Sequence, residues 1–207
     1  MRAKTSPNIG ARARTRLAIL DAAMRILSKN PTASINDIAD SAGVGRSTVH
    51  RHFTERSDLI EALAQHVYEI SDNAVARADP ESGPAASALR RIVEEQLDIG
   101  LALDFIYNEQ LFKKKPELFD DLKVGDQLVE ATIRRAERSD QSVPTEWRIR
   151  VFWALLRLGA EFVDEGHSRH HVLDAIMETL TSGLINRGAD ASSQDENEAD
   201  FRKKDSA

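Results

Sequence analysis

The chain has 207 residues, enough for one domain or two small ones and too few for a multidomain machine. With 41% hydrophobic and 30% charged residues it can bury a core, which excludes a disordered chain, and no apolar run nears the roughly 20 residues of a membrane span. The net charge of −6 hides a division: residues 1–56 hold ten Lys/Arg against four Asp/Glu, a local +6, which leaves −12 for the rest. A polyanion partner, nucleic acid foremost, therefore suits the N-terminal end and would be repelled by the remaining surface.

Zero cysteines exclude disulfides, thiol nucleophiles and thiolate metal sites. The basic N-terminus has no apolar stretch behind it of the kind a secretory signal needs, so a cytoplasmic protein is expected. Six prolines, ten glycines and 5% aromatics leave little chemistry for a many-stranded sheet, and an all-α fold is predicted. Residues 1–13 lack periodicity and read as a flexible basic arm. Leu17, Leu20, Met24 and Leu27 then recur at three and four residues, predicting a first helix closed by Pro31. Ser34-Ile-Asn-Asp37 has capping-box spacing ahead of Ile38, Ala39 and Ala42 and starts a short second helix. Gly43-Val44-Gly45 interrupts it, and a third short helix follows over 47–53. A long fourth helix, capped by Thr54 or Ser57, carries Leu59, Leu63, Val67 and Ile70 to the Pro/Gly break at 79–84, the best candidate for a domain boundary by composition.

Beyond that break, Leu89, Val93, Leu97, Leu101 and Phe105 predict one continuous helix over 85–107, then a short piece at 109–114. Pro116 opens a helix to about 138, and Pro144 opens another that Gly166 ends. Ser168 caps a last helix through Val172, Ile176, Leu180 and Leu184 to about 187. Residues from 189 onward hold a single large apolar residue, Phe201, too little to offset backbone ordering, and a disordered tail is expected.

Residues 34–53 carry the most specific signal, because a capped two-turn helix, a glycine turn and a second short helix make the shape of a helix-turn-helix. Ala39 is small where the helices cross, Gly43 can take positive φ, and Ile38, Val44, Val49 and Phe53 can form a mini-core with the first-helix stripe. Burying those residues turns Arg46, Ser47, Thr48, His50 and Arg51 outward, none of them acidic, on a face that suits the major groove. The run from Ser34 to Phe53, with Thr-Glu-Arg-Ser-Asp-Leu59 after it, resembles the DNA-binding domain of the tetracycline-repressor (TetR) family at its Ile-Ala, Ala-Gly-Val, His-Phe and Leu positions. It departs with Val49-His50 where the family usually has Leu-Tyr, and with Arg56 where it usually has Lys.

That resemblance covers about residues 14–63. It implies a sequence-specific DNA-binding transcriptional regulator, a repressor held as a homodimer on palindromic double-stranded DNA and released by a small-molecule effector. It implies phosphate contacts for Ser34, His50 and Arg56, assisted by the positive ends of the second and fourth helices. Arg46, Ser47, Thr48 and Arg51 would face bases or adjacent phosphates. The expected order is a basic arm at 1–13, the DNA-binding domain at 14–58, a helical regulatory and dimerisation domain at 59–188 and a tail at 189–207.

In the acidic part, the last two helices should run antiparallel and carry more apolar positions than one core needs. The family resemblance places their surplus, Phe152, Leu155, Gly159, Phe162, Ala175, Ile176, Leu180 and Gly183, at a dimer interface. It also implies an effector pocket, with Leu97, Leu101, Phe105, Phe119 and Trp153 as the lining; no buried charge pattern points to a ligand. Two rivals were weighed. His167 and His171 stand four apart beside Glu165 and Asp174, but Gly166 and Ser168 place His167 ahead of the helix, so no metal site is expected. No Gly-rich phosphate loop, His-Glu-x-x-His helix or nucleophile elbow is present, which leaves no cofactor and no enzyme to predict. The other rival is a helical protein-binding module whose helix-turn-helix touches no DNA.

Overall fold

Helix α1 (Ala11–Leu27) begins at a Gly10 cap, three residues earlier than the lack of periodicity suggested, because Ala11 and Ala13 are strong helix formers that the apolar stripe does not register. Arg12 therefore lies on the helix rather than on an arm. The computed structural model describes residues 10–114, 124–136 and 143–182, and among these it is all helix, without a strand. Helices α2 (Ile35–Ser41), α3 (Arg46–His52) and α4 (Arg56–Arg77) follow. The cap of α4 is neither Thr54 nor Ser57 but Glu55, whose N–H donates to the Asp58 carboxylate at 2.9 Å in a capping box.

The helix predicted over 85–107 is two helices, α5 (Ala85–Gln96) and α6 (Gly100–Asn108), joined by a 3₁₀ turn at Leu97–Ile99. Residues repeating every four along a 3.6-residue helix drift by about 40° per step, so a straight helix would swing Leu89 and Phe105 some 160° apart. The break resolves this by sending each half to its own core: Leu89, Val93 and Leu97 to one, Phe105 with Leu103 and Ile106 to the other. Gly100 sits at the break because a Cβ there would stand 2.8 Å from the Ala160 Cβ and 3.2 Å from the Leu156 carbonyl oxygen. Helices α7 (Gln110–Lys114), α8 (Val124–Arg135), α9 (Thr145–Asp164) and α10 (Arg169–Ser182) complete the described chain. Phe119, Gly183 and residues 189–207 lie outside the described residues.

The interior divides within α4 and not at the 79–84 break. Leu59, Leu63 and Val67 join α1–α3, α6 and α7, whereas Val75 joins α5, α8, α9 and α10. The break itself is firmly held. The Arg91 guanidinium donates to the carbonyls of Ala78, Asp79 and Ser82, and Arg135 donates to those of Pro80 and Glu81, at 2.7–3.0 Å.

Helix α10 folds back along α9, bringing Val172 and Ile176 onto Gly159. The reversal is a Schellman turn: Gly166, at φ +97°, donates to the Val163 carbonyl, and His167 donates to that of Phe162, both at 3.0 Å. The His167 ring stacks on Phe162 within this helix stop, with centroids 5.0 Å apart.

Gly100→Ala should cost about 1–3 kcal/mol by overpacking α6 against α9. At roughly 2–4 °C per kcal/mol for a chain of this size, thermal unfolding followed by circular dichroism will show a drop of several degrees. An unchanged midpoint would mean that the two helices have slack at this crossing.

Candidate nucleic-acid interface and effector cavity

The helix-turn-helix is built from its own local hydrogen bonds. Ser34 Oγ accepts the Asp37 N–H at 3.2 Å while Asp37 Oδ2 accepts the Ser34 N–H at 2.7 Å, the capping box the spacing predicted. These bonds hold the Asp37 carboxyl below its ordinary value. Gly43 takes φ +66° in the turn, and the Val44 N–H donates to the Ala39 carbonyl at 3.0 Å. Ile38, Ala39, Val49 and Phe53 are buried beneath, as expected.

Arg46, Ser47, His50 and Arg51 are exposed on α3 and Thr48 is half-buried, with Arg46 Nε 3.4 Å from His50 Nε2 one turn on. Two further arginines escaped the sequence reading because they fell in the supposed arm or on the first-helix surface. The Arg16 guanidinium lies 5.2 Å from the centre of the Phe53 ring, and Arg12 and Arg16 with Arg51 surround His52. Partial burial pushes the His52 imidazole below its ordinary value, and the three arginines push the same way, so it stays neutral at pH 7. The one spacing signal for this cluster was the four-residue interval from Arg12 to Arg16.

Two expected phosphate contacts have other work. Arg56 Nη1 donates to the Ala33 carbonyl at 2.7 Å and Nη2 to the Pro31 carbonyl at 3.1 Å, pinning the start of α4 to the loop that leads into α2. Ser34 serves its cap. The positive end of α4 also carries two acids, Glu55 and Asp58, whose capping box places negative charge where a phosphate would approach. The cationic face of the domain is therefore α3 with the adjoining side of α1.

A cavity of about 530 Å³ opens among α6, α8 and α9. Trp153, Leu103, Leu156 and Ile149 supply apolar wall, and Tyr107, Asp104, Asp126 and Glu130 supply polar and acidic groups. Of the expected lining, Trp153 is here; Leu97 and Phe105 are buried in the two separate cores and Leu101 is half-buried elsewhere, a consequence of the break at 97–99. The acids were illegible as a group because they lie on two helices far apart in sequence, Asp104 on α6 and Asp126 and Glu130 on α8. Burial raises the Asp104 carboxyl above its ordinary value, against the opposing pull of Arg157.

On the other side of α9, Leu155, Leu158, Gly159 and Phe162 meet Ala175, Ile176 and Thr179 of α10 in a shallow apolar depression. Leu158 and Phe162 remain 42% and 43% exposed. Phe152 belongs elsewhere: it is fully buried in the chain's own core, edge-on to Trp153 with centroids 5.2 Å apart, and so is unavailable to a second copy. Leu180 is half-buried at the edge of that same core.

A capped helix-turn-helix with a cationic face, carried by a helical body, defines a DNA-binding class of protein. Residues 19–63 match the bacterial regulatory proteins of the tetR family. The chain is 51% identical over 183 residues to the HTH-type transcriptional repressor LfrR of Mycolicibacterium smegmatis, an alignment spanning 87% of this chain and 97% of that one. It matches the crystal structure of LfrR in complex with proflavine with a TM-score of 0.76, covering 86% of this chain and 99% of that one at 51% identity. At 14% identity, the Bacillus subtilis regulator FadR in complex with stearoyl-CoA shares the fold, with a TM-score of 0.60 over 82% of this chain and 99% of that one. The protein belongs to the TetR family and is a DNA-binding transcriptional regulator. None of the helices among the described residues is long and apolar enough to cross a membrane.

Arg56→Leu removes two charge-assisted hydrogen bonds and should destabilise the protein by about 1–3 kcal/mol. Hydrogen exchange should quicken at the amides of 33–38. Retained stability with a loss of DNA binding alone would instead make Arg56 a phosphate anchor.

Proposed function

We propose that the protein is a dimeric repressor that binds an inverted-repeat operator through α3 and is released when a planar aromatic cation fills the cavity. The observation that carries the effector half is the union of Trp153 with Asp104, Asp126 and Glu130 around one 530 Å³ space. A flat cation gains from the aromatic wall and from the three acids, which outnumber Arg150 and Arg157 of the same lining. Proflavine, the ligand in the LfrR complex, has this chemistry, and LfrR is also the relative whose role as a repressor supports the first half.

On DNA, Arg46, His50 and Arg51 contact phosphates while Ser47 and Thr48 meet base edges, and Arg12 and Arg16 extend the contact along the backbone. Ser34 and Arg56 act indirectly, by fixing α2 and α4. The second copy docks on the depression formed by Leu155, Leu158, Gly159, Phe162, Ala175 and Ile176, with Gly159 and Ala175 allowing close approach. Pairing there sets two α3 helices about 34 Å apart, one helical turn of the duplex. The DNA-binding unit proposed on this basis ends where α4 leaves the first core, and α4 is shared with the regulatory body.

Selection of bound fragments from random duplex DNA should return an inverted repeat, and sedimentation should give two protein chains per duplex. Arg46→Ala should then weaken the selected site and lower the slope of log affinity against log salt by about 0.9, the share of one phosphate. Fragments without a repeat, or a single chain per duplex, would contradict the reading.

A further inference from the structure

We propose that α8 carries occupancy of the cavity to α4 through two ties that lie outside the cavity. One is the Asp72 carboxylate on the Gly125 N–H, and the other is the Arg135 guanidinium on the carbonyls of Pro80 and Glu81. This rests on the effector reading above and deepens it, by assigning the transmission between ligand and operator to particular residues.

Helix α8 serves two neighbours. Asp126, Gln127 and Glu130 line the cavity together with side chains of α6 and α9. Gly125, Val129 and Ile133 recur every four residues on an adjoining face. Val129 and Ile133 are buried in the core that also holds Val75 and Ala78 from the end of α4, and α8 packs against α4. A ligand in the cavity therefore bears on a helix whose other side is already seated on α4.

The first tie stands at the start of α8. A helix leaves its first four N–H groups without an acceptor of its own, and Gly125 lies in that turn. Asp72 Oδ1, on α4, accepts this N–H at 2.8 Å, so a carboxylate of one helix caps the positive end of the other. The helices meet closely here, since a Cβ on Gly125 would fall 2.4 Å from that oxygen and 3.4 Å from the Asp72 Cα. The second tie stands at the other end of α8, about 15 Å away at 1.5 Å per residue. There Arg135 Nη2 donates to the Pro80 carbonyl at 2.7 Å and Nη1 to that of Glu81 at 3.0 Å. This turn has little slack to absorb a pull, because Arg91 donates to the carbonyls of Ala78, Asp79 and Ser82 within it.

The pairing of 72 with 125 and of 80 with 135 makes α8 run alongside the end of α4 in the same direction. One tie would be a pivot. Two, one at each end, stop α8 from sliding or turning without α4, since displacement leaves the Gly125 N–H and the turn carbonyls unpaired. The other end of α4 carries Leu59 and Leu63 into the core of α1–α3 and Arg56 onto the loop before α2. A ligand moves α8 only by its differential affinity for two positions of that helix. The ties decide whether such a movement stays local or reaches α3.

The test uses the full-length chain, proflavine as probe and the selected operator duplex. The readout is the ratio of operator affinities without and with saturating proflavine, which in the wild-type protein should be at least about five. In Asp72→Ala/Arg135→Met the ratio should fall below about two, while the separate affinities for proflavine and for operator stay within about threefold of wild type. Neither residue lines the cavity or lies on the DNA-binding face. Each single variant should give a ratio between these two. Asp72→Asn, whose side-chain oxygen can still accept the Gly125 N–H, should keep the wild-type ratio. Ser71→Ala is the control for general loosening of α4: it removes the buried bond from Gln96 of α5, which is not among the helices that enclose the cavity, and should also keep the ratio. A wild-type ratio in the double variant would overturn the proposal, as would a wild-type ratio in both single variants where the double variant does not fold. So would an equal fall in Ser71→Ala. Hydrogen exchange reads the ties without any effector. Operator binding should slow the α8 amides of 127–135 by about twofold or more in the wild-type chain and leave them unchanged in the double variant, or slow them less in each single one. Wild-type α8 amides that ignore the operator would overturn the proposal even where proflavine releases DNA. A wild-type chain that ignores proflavine but shows this slowing, lost with the ties, would sink the effector reading and leave α8 coupled to α4.

Discussion

Helix α4 belongs to two cores at once, and the rest of the molecule is arranged around that constraint. Leu59 to Ala74 are buried in the core shared by α1–α3, α6 and α7, and Val75, near the end of the helix, in the core of α5, α8, α9 and α10. No flexible linker separates the two. A rigid helix of 22 residues spans about 33 Å at 1.5 Å per residue, so a small tilt at one end becomes an ångström-scale displacement at the other. Polar groups hold α4 along its length: Arg56 donates to the carbonyls of Ala33 and Pro31 at its start, and in its second half Gln96 donates to Ser71 and Asp72 accepts the Gly125 N–H.

Charge is distributed to match. Cationic side chains gather on α3 and the start of α1, while Asp104, Asp126 and Glu130 of the body line the cavity. The carboxylates at the start of α4 show that a helix N-terminus is not automatically a phosphate site. Glu55 and Asp58 close a capping box there, which gives the helix a firm start and sets two carboxylates beside its positive end.

The DNA-binding half was legible in the sequence because its signals are local. The Ser34–Asp37 box, Gly43 and the Ile38, Val49 and Phe53 spacing each depend on residues within a turn or two of one another, and all three are present as read. The apolar stripe of α9 was legible for the same reason, although it could not say which side faces inward. Phe152 is buried and Phe162 exposed, a distinction that only the positions of α5, α8 and α10 decide. What the sequence concealed is non-local. The four-residue repeat from Leu89 to Phe105 looks like one helix until two cores compete for its ends. Asp104, Asp126 and Trp153 are separated by tens of residues and meet only because three helices enclose one space. Arg56 could be read as a phosphate ligand since nothing nearby in sequence reveals the Pro31 and Ala33 carbonyls as its partners.

The central claim is that one helix links cavity and operator, so that each ligand opposes the other through a single equilibrium. Linkage makes such opposition reciprocal. The most direct measurement is the affinity of proflavine for the free protein and for the protein saturated with its operator, set beside the affinity of operator with and without proflavine. The account predicts that the two ratios are equal and exceed about fivefold. Proflavine bound equally tightly by the free and the operator-bound protein would contradict it.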